Sequence, residues 1–144
     1  MFSTDRTALR EVFFRAWRNH REQRALEGIE ATIVDVAVRH PEYHQLLDGG
    51  DTPAQRDYHA ALGETNPFMH MGLHIAVAEQ LSINQPPGVR ELFQRLAARL
   101  IDPHAAEHAM MECLTESLWQ AQQAGRPLDQ SAYLDGLGRL APQP

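Results

Sequence analysis

A chain of 144 residues has the size of one domain and can bury a core without needing disulfides or metal. Its 43% apolar and 22% charged content is that of an ordinary folded protein and excludes a disordered chain. A net charge of −6 argues against a nucleic-acid partner, which would need a basic patch strong enough to offset it.

No apolar run reaches the roughly 18 residues that a membrane span needs, so no membrane partner is expected. The single cysteine, Cys113, cannot form an internal disulfide, which leans towards a cytoplasmic location. The opening stretch "MFSTDRTALREVFFRAWRNHREQR" lacks the apolar core of a secretory signal. Its arginines and phenylalanines loosely resemble a transit peptide, but Asp5, Glu11 and Glu22 favour a first domain helix.

In chain order, residues 5–22 place Leu9, Val12, Phe13, Ala16 and Trp17 at helical spacing with arginines outward. Residues 26–39 put Leu26, Ile29, Ile33, Val36 and Ala37 on one stripe. Their β-branched run "TIVDVAV" is outvoted as a strand by the longer helical period. Pro41 ends that helix, since the residue before a proline is pushed from α geometry, and "PEYHQLL" restarts as a short helix. "DGGDTP" reads as a loop and "PAQRDYHAALG" as a short exposed helix ended by Gly63.

Asn66 caps the next helix with Pro67 at its first position, and "NQPPG" ends it. Residues 88–100 form another, with Val89, Leu92, Phe93, Leu96 and Leu100 inward. Asp102 and Pro103 repeat the cap-plus-proline start of a helix running to Ala124, and Asp129 caps a last one. Trp119 is expected to pack rather than to face solvent. The whole reads as a single all-α domain, residues 1–144, a bundle of about five to seven helices.

The 67–82 helix is apolar almost all round, which places it in the middle of the bundle. Gly72 weakens it and is expected to mark a close helix–helix contact. His70 and His74 lie one turn apart on it and are expected to be buried, where an imidazole needs partners for its ring nitrogens. Glu79 falls on the opposite side of the wheel. The same four-residue spacing recurs at His40/His44 and His104/His108.

Eight histidines would give about 0.4 such pairs by chance. On a helix, residues four apart share a face and can offer two imidazoles to one ion. His104 and His108 continue as Glu112 and Glu116, drifting around the helix by about 40° per step. Imidazoles and carboxylates projecting inward from several helices are how di-iron and related sites are built. Pro41 weakens the His40/His44 pair by taking His40 from the helix face. Cys113 points away from the His104/His108 row and reads as a structural thiol. No G-x-S-x-G, P-loop, G-x-G-x-x-G or C-x-x-C pattern occurs.

"FFRAWR", "HPEYH", "NPFMHMGLHIAVAEQLSINQPPGVR" and "HAAEHAMMECLTESLWQAQ" closely resemble an uncharacterised proteobacterial family catalogued as a domain of unknown function, DUF1841. The likeness covers nearly the whole chain. It implies a bacterial, soluble, single-domain protein, implies no activity, and supplies no catalytic residues. A looser likeness, of motif type alone, links His70-x3-His74 and His108-x3-Glu112 to hemerythrin-type and other metal-binding bundles.

The leading functional expectation is therefore a transition-metal site, zinc or iron among the candidates, built from His70, His74, His104 and His108. Glu112 is its carboxylate candidate and His44 a further imidazole. The four histidines are expected to converge in one polar pocket. The alternative is a non-enzymatic interaction or structural module with core or surface histidines and no metal. A protein partner or a homo-oligomer is compatible with both, and no reaction or substrate is readable.

Overall fold

A computed structural model describes residues 2–49 and 66–141. Among these residues the chain is helical and contains no strand. In order come α1 (Phe2–Arg21), α2 (Ile29–Val38), a 3₁₀ turn (Pro41–Tyr43), α3 (His44–Asp48), α4 (Pro67–Ile83), α5 (Val89–Leu100), α6 (Pro103–Ala124) and α7 (Gln130–Leu140). The all-α expectation holds. The expected helix at 53–63, most of the loop before it and His59 lie outside the described residues. No described helix is long and apolar enough to cross a membrane.

Local chemistry sets most of the helix starts. Asn66 Oδ1 accepts from the Phe68 and Met69 N–H groups at 3.0 and 3.1 Å. Asp102 accepts from His104 N–H at 3.0 Å, and Asp129 from Ala132 N–H at 3.1 Å. Each cap satisfies donors that the first helical turn cannot. The second helix begins at Ile29 rather than at residue 26, because Gly28 stands before it with φ 59°. That left-handed φ suits glycine and breaks the helical path. "TIVDVAV" is wholly helical, and Ile33, Val34, Val36 and Ala37 are buried, so packing overrides their β preference.

The chain divides into two compact units, Met1–Ile75 and Ala76–Pro144, with the division inside α4. The first unit is built on Phe13, Phe14, Trp17, Ile33, Val36 and Phe68. Phe68 meets Phe13 and Phe14 edge-on, with centroids 5.9 and 5.7 Å apart, an arrangement that suits the ring quadrupoles. Trp17 Nε1 donates to Asp48 Oδ1 at 2.8 Å, tying α1 to α3. This bond, and then Arg21, hold the Asp48 carboxyl below its ordinary value.

At the start of α2, Glu30 accepts from Glu27 N–H at 2.9 Å and from Arg15 and Asn19, both at 3.3 Å. The second unit buries Val77, Val89, Leu96, Met110, Leu114, Tyr133 and Leu137. There the Tyr133 hydroxyl donates to Gln80 Oε1 at 2.7 Å, and burial pushes the phenol well above its ordinary pKa.

Four expectations need correction. Met69 is 62% exposed, so α4 is covered on most of its faces but not all. Leu100 is exposed because α5 ends on it, and Ile101 turns the backbone to φ 58°. Trp119 is 56% exposed on α6 rather than packed. Gly72 marks no close contact: a Cβ built there meets nothing among the described residues within 4 Å.

Two outcomes follow from these contacts. The Glu27 backbone bond, with Arg15 and Asn19, lowers the Glu30 pKa from its ordinary 4.5. A depressed carboxylate contributes stability above its ordinary pKa and loses it as pH falls through the folded value. Glu30→Gln should therefore melt below wild type at pH 7, with the gap closing below about pH 4. Tyr133→Phe should cost about 1–3 kcal/mol in chemical denaturation, because it strands a half-buried amide.

Candidate metal centre

The first unit gathers three imidazoles. Pro41 forces His40 out of helical geometry, to φ −126° and ψ 72°, as the residue before a proline must go. The His40 ring then folds back on α2, with Nδ1 2.8 Å from the Val36 carbonyl. A carbonyl only accepts, so Nδ1 carries the proton, and in the neutral ring Nε2 keeps a bare lone pair. That nitrogen lies 3.1 Å from Nε2 of His70. His70 and His74 share one face of α4, with ring centroids 4.9 Å apart. His40 stands 4.9 Å from the first and 4.7 Å from the second. His40 and His74 are buried. Tyr43 stacks almost parallel on His40, 5.4 Å away at 8°, and burial raises its phenol.

His44, a sequence candidate in the same unit, stands differently. Its Nε2 is 2.7 Å from the Ala37 carbonyl and must donate to it, while its ring lies 4.5 Å from Trp17. One ring nitrogen is thus committed to closing the end of α2. His20 is exposed and flanks the same indole.

In the second unit, His104 and His108 occupy successive turns of α6. Their Nε2 atoms are 3.0 Å apart and their centroids 4.3 Å apart. Asp102 and Pro103 set this geometry by starting the helix immediately before His104. Glu112, one turn further on, is exposed. It lines a polar hollow of about 380 Å³ with Cys113, Glu116, Tyr133 and Arg139. Burial first, and then Glu112, raise the Cys113 thiol above its ordinary pKa, with Arg139 opposing them, as befits a structural rather than nucleophilic cysteine. Glu107 is a buried carboxylate beside His108 in sequence, a feature that the spacing argument did not single out.

A family model described as a domain of unknown function (DUF1841) matches residues 5–139. The chain belongs to the DUF1841 family. No curated protein and no solved structure matches it.

The DUF1841 chain thus holds a set of histidines that could bind a metal. His40 is the member the sequence argument set aside. Its signal was present in "HPEYH", where a proline takes the first histidine out of helical geometry while the second begins α3.

Imidazole nitrogen NMR near neutral pH should find His40 protonated at Nδ1 and bare at Nε2. His44 should show the reverse, protonation at Nε2. A protonated His40 Nε2 with a bare Nδ1 would contradict the bond to Val36.

Proposed function

We propose that the chain binds a transition-metal ion through its clustered imidazoles, with His40, His70 and His74 as candidate ligands in the first unit and His104 and His108 in the second. The observation that carries the reading is the close approach of imidazole nitrogens within each unit, 3.1 Å in the first and 3.0 Å in the second. Two nitrogens bound to one ion at about 2.0–2.1 Å lie roughly 2.9–3.4 Å apart at ordinary coordination angles. His40 further resembles a prepared ligand, because the carbonyl on its Nδ1 fixes the tautomer that leaves Nε2 bare. An all-imidazole donor set suits zinc, copper, nickel or iron over calcium or magnesium. The same reading places the protein in the bacterial cytoplasm, where Cys113 stays reduced.

The rival is a metal-free network, because the same nitrogen separations also suit N–H···N hydrogen bonds. Metal content and stability separate the two. Untagged protein should contain a transition metal and lose it to a chelator with a fall in melting temperature, since an ion bound only to the folded state stabilises it. His74→Ala tests the imidazoles of the first unit and His108→Ala those of the second, and at least one of the two variants should lose the metal. Protein that takes up no metal, and melts identically with and without chelator, would leave the hydrogen-bonded network.

A further inference from the structure

The first unit contains a cavity of about 470 Å³ on the other face of α4. Val12 and Phe13 of α1, Ile29 and Ile33 of α2, and Phe68 and Ile75 of α4 wall it. At 100° per residue, Phe68, Gly72 and Ile75 fall on one side of that helix and His70 and His74 on the other. The cavity is therefore separate from the imidazoles. Its volume and its largely apolar lining are those of a small-molecule pocket.

Gly72 is the second observation. A glycine inside a helix costs about 1 kcal/mol relative to alanine, and a neighbour's close approach is the ordinary reason to accept that. Here no such neighbour exists among the described residues, and Gly72 borders the cavity instead. The missing side chain keeps space open.

Arg10 is the third. It is only 4% exposed, lines the same cavity, and holds its guanidinium carbon 4.7 Å above the Phe68 ring. A guanidinium stays charged at any accessible pH, and its five N–H donors can serve more than one acceptor.

We infer that this cavity binds an apolar carboxylate of the medium-chain fatty-acid type. The chain lies among Phe13, Ile33, Phe68 and Ile75, and the carboxylate meets Arg10. Charge complementarity selects the anion, and the apolar walls select the chain.

Calorimetric titration of the full-length untagged protein with decanoate and with 1-decanol tests this. Decanoate should bind saturably, one per chain, with decanol at least about tenfold weaker. Arg10→Met should remove that preference. Gly72→Leu fills the cavity from α4 and should weaken decanoate at least about tenfold without lowering the melting temperature, while Gly72→Ala should retain binding. Val12→Trp fills it from α1 and gives the same readout should Gly72→Leu fail to fold. A chelator should leave decanoate binding unchanged, so loss of the metal site and loss of this pocket are distinguishable. Absence of saturable uptake, uptake indifferent to both filling variants, or equal affinity for decanol would overturn the inference. Concentration-dependent dimerisation without uptake would assign the groove to a second copy of the chain.

Discussion

The last carbonyls of α2 keep a second lone pair beyond the one that the backbone uses, and two histidine rings take it up. Val36 accepts from His40 and Ala37 from His44. The backbone N–H groups of Arg39 and His40 meet the same two carbonyls, so each ring bond adds about 1 kcal/mol net. The two rings are therefore held firmly, and their orientation follows from which nitrogen each commits. His40 gives Nδ1 and turns Nε2 towards α4. His44 gives Nε2 and lays its ring near Trp17. The candidate chemistry of the first unit depends on that difference, which originates in the proline between the two histidines.

Helix α4 then separates two kinds of environment across its own width. One side carries the imidazoles, and the other carries Phe68, Gly72 and Ile75 against an apolar space. A polar cluster tolerates burial when its members satisfy one another, whereas an apolar cavity stays favourable only while water finds no partners in it. Keeping them apart by the diameter of one helix lets both persist in a small unit. Glu79 and the exposed Met69 show where this helix meets solvent, so its low amphipathicity reflects contacts on two sides rather than complete enclosure.

How much of this was legible depends on how local the cause is. Asn66–Pro67, Asp102–Pro103 and Asp129 announce helix starts because capping is decided within four residues. The His70/His74 and His104/His108 pairs were legible for the same reason, since helical period alone brings each pair together. His40 was not, because its place depends on a backbone excursion and a ring folding back, and periodicity records neither. Gly72 was half legible: sequence says that a mid-helix glycine has a reason, not whether the reason is a neighbour or a void. Glu112 followed the four-residue row on paper, but the row's drift puts it with Cys113 and Arg139. Trp119 failed because average tryptophan burial says nothing about one helix face.

The two tryptophans are unlike in surroundings. Trp17, in the first unit, is buried, hydrogen-bonded to Asp48, and flanked by His20, His44 and the Arg21 guanidinium. Trp119, in the second, stands largely in solvent. Their emission is accordingly separable, short-wavelength and partly quenched for the first, long-wavelength and open to iodide for the second. Each unit thus carries its own optical reporter, and the unfolding of one can be followed against the other in a single unlabelled sample.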